Sequence, residues 1–316
     1  MIFLSSIPIP PAIGFTSSIV NRILSFPSLA NWAKTQAKQM MIQRAHQIGV
    51  DWLGHVALLN TRDWSLDLSQ VTTPGLSYPD YYVTSFHGYA DGNLSWEAAF
   101  EVEVAAYAVH SRVWGAVDAH GDARLRQSYH QILQSHIPSP LKILDLGCSV
   151  GMSTAALQVN YPGAEVVGID LSPYFLSVAQ HQAPARIPVP SHSHPVTTPT
   201  WLHAAAEATG LPDQSFDLVS GFLLFHELPE EAAIAILREV HRLLRPGGYF
   251  AMMDMNPQSP VYAQMKPFIL TLLKSTEPYL DEYFNLDFSQ ALHSVGFQPP
   301  TVVGNSPRHR TIVARR

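Results

Sequence analysis

The chain has 316 residues, 47% of them hydrophobic, and a formal net charge of −6. That length holds one large domain or two modest ones, and the acidic balance argues against a nucleic-acid surface. A single cysteine, Cys148, excludes an internal disulfide and suits a reducing compartment, so the chain reads as cytoplasmic.

No apolar run approaches the roughly 18 residues needed to cross a bilayer. Residues 1–50 carry Arg22, Lys34, Lys38 and Arg44 and no acid, so the net acidity resides in the rest of the chain. The first stretch is punctuated by Pro8, Pro10 and Pro11 and is serine-rich without acids, as organelle transit peptides are. Residues 28–48 read as a helix, with Leu29, Trp32, Ala33 and Met40 on one side and Lys34 and Lys38 on the other. A basic arm and helix of this kind either packs on the main domain or rests on a membrane surface. Peripheral membrane contact and organelle targeting both stay open for 1–50.

Residues 51–136 form a second unit. Its first part, to residue 94, shows little periodicity and reads as loop. Aromatics crowd its end: Tyr78, Tyr81, Tyr82, Phe86, Tyr89 and Trp96, with His87 among them. Aromatics on a loop-rich segment build a lid or pocket wall, or simply pack the segment down. His87 and Tyr89 are the candidate substrate contacts. A helix is expected from Trp96 to about Val117, with Glu97, Glu101 and Glu103 on a solvated face. A second, about Asp122 to Ser135, ends before Pro138 and Pro140.

Residues 137–316 alternate strand and helix, the pattern of a parallel sheet covered on both faces. Strands are expected at 142–146, 165–170, about 200–204, 216–221 and 249–254, with a final pair at 297–303 and 309–314. Two insertions interrupt the pattern. The segment 184–199 reads as a surface loop; His192 and His194 lie in it with no acid or cysteine interleaved, so no metal site is expected. The segment 257–287 follows a strand's carboxyl end, which places it beside the ligand crevice of such a sheet. Tyr279 and Tyr283 are candidate substrate contacts there.

The chemistry-bearing stretch is Ile143-Leu-Asp-Leu-Gly-Cys-Ser-Val-Gly151. A strand passes Asp145, breaks at Gly147 and enters a helix after Gly151. Glycines let the backbone approach a ligand, and the free N–H groups of the helix attract negative charge. The spacing D-x-G-x-x-x-G differs from the G-x-G-x-x-G of nicotinamide-binding folds, which counts against an oxidoreductase. Asp170 ends the second strand before Leu171-Ser-Pro173. A carboxylate there accepts hydrogen bonds from both hydroxyls of a ribose, whether of a nicotinamide or another nucleoside. His226 stands where the fourth strand passes to a helix. It reads either as a neutral imidazole taking a proton from an acceptor or as a residue ordering the turn.

This order of segments, from about Lys142 to Met255, resembles the class I S-adenosylmethionine (SAM)-dependent methyltransferases, and most closely the branch acting on quinones, sterols and similar metabolites. The resemblance implies a Rossmann-like, doubly wound seven-stranded α/β sheet with a helical and irregular N-terminal extension. It implies SAM as cofactor, with Asp145, Gly147, Ser149 and Gly151 at its methionine end and Asp170 and Leu171 at its ribose. Relatives commonly read Asp-Ala-Glu at the adenine, whereas this chain reads Ala205-Ala206-Glu207, leaving recognition to Ala206 and Glu207. Leu223 falls at the end of the fourth strand, and relatives often carry a histidine at the position of His226. The function so implied is methyl transfer to oxygen or carbon of a small, rather apolar metabolite. A SAM-binding scaffold without turnover and a membrane-associated interaction protein are the rival readings.

Overall fold

The computed structural model describes residues 27–84, 89, 91–187, 198–266, 269, 273, 274 and 276–316, the side chains of 27–34 excepted. Its centre is a seven-stranded sheet in the order β3-β2-β1-β4-β5-β7-β6. The strands are β1 (Lys142–Leu146), β2 (Glu165–Asp170), β3 (Thr200–His203), β4 (Phe216–Phe222), β5 (Leu244–Met255), β6 (Thr301–Ser306) and β7 (His309–Arg315). The first five are parallel, and β7 runs antiparallel to both β5 and β6.

The central strands are apolar on both faces, so β1, β2 and β4 are continuous hydrophobic runs rather than alternating ones. Ile143 faces one core with Val166, Leu218, Ala251 and Val313. Its neighbour Leu144 faces the other with Val167, Val219, Phe250 and Met252. The first face is covered by α5 (Gly121–His136) through Leu125, Tyr129 and Leu133, and by α6 (Met152–Asn160) through Leu157. The second is covered by α8 (Glu230–Leu243), whose Ala233, Ile236, Leu237 and Val240 recur at helical spacing, and by α11 (Phe288–Ser294). Truncating a fully buried leucine such as Leu237 costs about 2–5 kcal/mol.

Strand order reverses about β1, which pairs Leu146 with Ile169 of β2 and with Gly221 of β4. Chain crossovers diverge at that point, and a crevice opens at the strands' carboxyl ends.

The N-terminal part departs from expectation in three ways. Residues 51–94, read as loop, contain α2 (Trp52–Asn60) and α3 (Ser65–Val71). At nine and seven residues these are too short to display a period, and they are held by Asp51 capping Gly54 N–H at 2.9 Å and by burial of Trp52, Leu59 and Trp64. The helix expected to reach Val117 is α4 (Trp96–His110), capped at its start by Ser95. It stops where α5 begins against it: a Cβ on Gly121 would lie 2.2 Å from the His110 carbonyl oxygen. The third departure concerns the acids of α4. Glu101 is buried, accepts the Tyr89 hydroxyl at 2.9 Å and pairs with Lys38 at 2.9 Å, and Glu103 pairs with Arg186 at 2.7 Å. Their partners come from other elements, so the solvated-face reading is corrected for Glu101 and Glu103, while Glu97 is exposed.

The first helix, α1 (Pro27–Gln47), matches its expected span. Met40 is exposed while Ala45 is fully buried beside Trp52, Val104 and Ala108, so the face turned to α4 differs from the one expected. The arm before residue 27, the side chains of Leu29, Trp32, Ala33 and Lys34, and the loop with His192 and His194 lie outside the described residues. Among the described residues no helix is long and apolar enough to cross a membrane. Two further helices, α7 (Pro173–Arg186) and α10 (Leu280–Asn285), complete the layers beside the crevice with the short α9 (Pro260–Ala263).

Candidate active site

The turn leaving β1 is held in a conformation few residues adopt. Gly147, Ser149 and Gly151 have φ of 59°, 51° and 81°. For Ser149 that is a strained setting, of the kind concentrated at ligand clamps. The turn is fastened to β2: Cys148 N–H donates to the Ile169 carbonyl at 2.9 Å, and Ser149 N–H donates to Asp170 Oδ2 at 2.8 Å. At both Gly147 and Gly151 an added side chain would force a neighbour to move. A Cβ on Gly147 would lie 2.6 Å from Leu224 Cδ1, and one on Gly151 would lie 2.6 Å from Trp201 Cη2.

Behind the turn, Asp145 is fully buried. Its Oδ2 accepts the hydroxyls of Ser153 and Thr154, each at 2.7 Å, which fixes the first turn of α6. Burial raises its carboxyl to about 6. It stands beneath the cleft rather than on its wall, as does Gly151.

The cleft in front has a volume of about 1000 Å³. That is the upper end of the ~300–1,000 Å³ typical of small-molecule sites. Gly147, Ser149, Asp170 and Leu171 line it on the side of β1 and β2. Ala206, Glu207 and Leu223 line it beyond β3 and β4, with His226 and Tyr89. Leu223 is the third non-glycine residue at positive φ, 57°. Tyr279 and Tyr283 do not line the cleft. Tyr279 meets Tyr81 edge-on at 6.5 Å, and Tyr283 is buried with its hydroxyl on the Met255 carbonyl at 2.6 Å. Its ring stands 6.4 Å from that of His226, so it backs the histidine's wall. His87 lies outside the described residues.

Asp170 is buried at the end of β2, where Ser149 N–H, Ser172 N–H and the Tyr82 hydroxyl all donate to it. Burial nonetheless carries its carboxyl up to about 6. Tyr81 likewise donates to Glu207 Oε1 at 2.8 Å. Tyr81 and Tyr82 both line the cleft, so the aromatic segment before α4 touches both acids expected to meet a nucleoside. Ala205 leaves no carboxylate of its own. Glu207 Oε2, Ser149 Oγ and Asp145 Oδ1 are buried without a hydrogen-bond partner. Buried polar atoms are almost always satisfied, so the orphans at Ser149 and Glu207, both on the cleft wall, fit a polar ligand.

His226 sits on the 3₁₀ turn Phe225–Glu227 after β4. Its Nδ1 lies 2.8 Å from Asp254 Oδ1, while Phe225 N–H and His226 N–H donate to Asp254 Oδ2 at 2.9 and 3.3 Å. Burial alone would lower the imidazole's affinity for its proton. The fully buried Asp254, helped by Glu277 and Glu227, outweighs burial and lifts it to about 10. The pairing with Asp254 thus favours the protonated ring over the neutral base expected for it.

Arg126 was missed by sequence reading because it lies on α5, ahead of any recognisable segment. It lines the cleft beside Met152 and Ser153, 4.6 Å over the Phe222 ring, and Asp122 accepts from its Nε at 2.9 Å.

The "Methyltransferase domain" family model matches residues 144–252, the stretch from β1 into β5 that frames this cleft. An uncharacterised methyltransferase of Synechocystis sp. is 30% identical over 194 residues, 60% of this chain and 81% of that protein. The chain belongs to the class I SAM-dependent methyltransferases. A demethylmenaquinone methyltransferase of Thermus thermophilus is 35% identical to this methyltransferase over 122 residues, 38% of this chain and 49% of that enzyme. The chain thus spans about half the length of several curated relatives it matches. A Nostoc punctiforme protein solved as a candidate O-methyltransferase shares the fold at a TM-score of 0.50 and 16% identity, over 85% of this chain and 74% of that one. The methyltransferase fold accounts for the cofactor turn, and the orphaned donors and acceptors around it suit SAM.

Proposed function

We propose that this chain transfers a methyl group from SAM to an oxygen or carbon of a small, rather apolar metabolite bound beside His226. When bound, SAM supplies an electrophilic methyl on a sulfonium. Every other contribution comes from the chain. The turn of Gly147–Gly151 and the α6 start would hold the methionine end, with Arg126 as the cation for its carboxylate. Asp170 would hold the ribose and Glu207 the adenine, and Tyr81, Tyr82 and Tyr89 would close the wall and exclude water. His226, protonated against Asp254, faces the acceptor as an ion-pair partner through Nε2. An imidazolium there lowers the acceptor's own pKa and raises the fraction present as a nucleophilic anion. Methyl transfer then needs chiefly proximity and alignment.

The observation that carries the reading is that unsatisfied Ser149 and Glu207 atoms and the His226–Asp254 pair belong to one cleft. The test is calorimetric binding of S-adenosylhomocysteine (SAH), followed by incubation with SAM and a metabolite extract. Binding of SAH and a product heavier by one methylene, absent with His226→Ala, are expected. Wild-type protein that fails to bind SAH ends the proposal. SAH binding with no methylated product in any extract would favour a scaffold.

A further inference from the structure

Three arginines from three separate elements stand close enough for their charges to act on one another. Arg44 comes from α1, Arg112 follows α4, and Arg308 stands in the turn between β6 and β7. Arg44 and Arg308 line the cleft itself. Among the described residues none of the three has a carboxylate within ion-pair distance. Their recorded hydrogen bonds are few: Arg112 donates to Gln47 Oε1 at 3.3 Å, and Arg308 donates to the Val109 carbonyl at 3.4 Å. Arg308 Nε is buried with no acceptor at all. A guanidinium carries five N–H donors, so this cluster has many more donors than acceptors. The arrangement is also electrostatically costly. Burial, and then the charges of Arg112 and Arg308, pull Arg44 below its ordinary value.

Of the acids lining the same cleft, Glu97 and Glu101 pair with Lys38, Glu101, Glu207 and Asp170 accept the hydroxyls of Tyr89, Tyr81 and Tyr82, and Glu277 and Glu227 act on His226 through their charge. His309, next to Arg308, is buried and held neutral by burial and by the charges of His110, Arg308 and His226. It offers the arginines no negative charge. The same cleft is also lined by Met41, Ala106, Val109 and Tyr262. Clustered like charges without counter-ions are retained where an anion completes them, and Arg forks match planar oxyanions in two-point contacts.

We propose that the acceptor is an amphipathic acid, whose oxyanion group is anchored by Arg44 and Arg308 while its apolar body runs along α4 toward His226. This rests on the reading of the cleft as a methyltransferase site, and it names the class of acceptor. A quinone or sterol without an acidic group would leave the arginines uncompensated, so the preferred guest differs from those neutral molecules.

The test uses the full chain and two probes with one carbon skeleton, 4-phenylbutyrate and 4-phenylbutanol, titrated calorimetrically with and without saturating SAH. The acid is expected to bind at least about tenfold tighter than the alcohol, the factor that about 1.4 kcal/mol of charge-assisted bonding supplies. That preference should fall below about threefold in Arg308→Gln and, on a different element, in Arg44→Gln. Arg124→Gln, which removes an exposed arginine paired with Asp118, should leave it intact. SAH affinity should stay within about twofold in all three variants, which shows that the turn and fold survive. Equal binding of acid and alcohol to the wild type, an acid preference that outlives both substitutions, or no binding of either probe at millimolar concentration overturns the proposal. An acid preference in a chain that does not bind SAH upholds the anion site while ending the methyltransferase reading, so the two failures are distinct.

Discussion

His226 and Asp254 lie 28 positions apart, yet their side chains meet at 2.8 Å because β4 and β5 are adjacent and in register. Phe222 pairs with Met253, so the 3₁₀ turn that follows β4 comes to lie beside Asp254. The carboxylate is buried and answers three N–H groups of one short turn. It fixes both the ring's orientation and its charge.

The sign of that charge sets a pH dependence. His226 is raised from 6.5 to about 10 on folding, so its pairing stabilises fully below pH 6.5 and is lost as pH climbs through about 10. NMR of the ring protons should show no titration of His226 between pH 6 and 8. In Asp254→Asn, where burial is no longer outweighed by that carboxylate, the ring should lose its proton at a much lower pH than in the wild type. Asp254→Ala removes one partner of a buried pair, for which a loss of about 3–5 kcal/mol is expected by denaturant unfolding. If the wild-type ring titrates near 6.5, the ion-pair account is wrong and a neutral base returns.

Asp170 titrates in the opposite sense to an ordinary paired carboxylate. Its folded value stands near 6, above 3.8, so the native state holds the proton more tightly. Its contribution to stability is fully present below pH 3.8 and disappears as pH rises through about 6. The thermal midpoint of ligand-free wild type, relative to Asp170→Asn, should therefore rise on acidification from pH 7 to 5. SAH affinity should move the other way, falling below pH 6 as the acceptor for the ribose is protonated. Asp170→Asn should weaken SAH by roughly 1.5–3 kcal/mol, the range for a bond to a charged group. Tyr82→Phe should not weaken it, since that hydroxyl competes for the same carboxylate. A loss with Tyr82→Phe equal to that of Asp170→Asn would show the tyrosine to be a ligand contact instead.

What the sequence disclosed and what it withheld divide along one physical line. Strands β1, β2 and β4 are buried on both faces, and so they read directly as apolar runs. Asp170 was legible because it ends such a run before a Ser-Pro helix start. The meaning of Asp254 depends on the register between two strands, which no local pattern shows. The partners of Glu101 and Glu103 lie on α1, the aromatic segment and α7, so no local pattern announces them. Arg126, Arg44 and Arg308 reach the cleft from elements whose own sequences carry no ligand signature. Short helices α2 and α3 stayed hidden because tertiary burial, not periodicity, makes them.

Glu207 stands two positions beyond Ala205, which has no carboxylate. Its Oε1 takes the Tyr81 hydroxyl and its Oε2 is buried without a partner, in a cleft wall shared with Ala206. An acceptor so placed suits an exocyclic amino group. Glu207→Ala should weaken SAH by about tenfold, a charge-assisted bond of roughly 1.4 kcal/mol, while Tyr81→Phe should leave affinity within a few-fold. Competition by inosine-containing analogues sharpens the measurement, because their base lacks the amino donor. A wild-type preference for the adenine form that vanishes in Glu207→Ala is expected; a preference that persists assigns recognition to the backbone at Ala206.

The two glycines of the cofactor turn should fail differently. Both have positive φ, so alanine costs roughly 1–2 kcal/mol of backbone strain at either. At Gly147 the added Cβ meets the methyls of Leu224, the free end of a side chain that borders the cleft and can swing. At Gly151 it meets the Trp201 ring and, at 3.0 Å, the Ala179 Cβ. Trp201 is wedged between Leu176 and Cys148 on one side and Ala155 and Ala183 on the other, so it has nowhere to go. Gly151→Ala should therefore lose clearly more unfolding free energy than Gly147→Ala in urea titrations. Gly147→Ala should fold and yet bind SAH poorly, because relief of its clash drives Leu224 into the ligand's space. Equal stabilities for the two variants, or unimpaired SAH binding by Gly147→Ala, would place the ligand away from this turn.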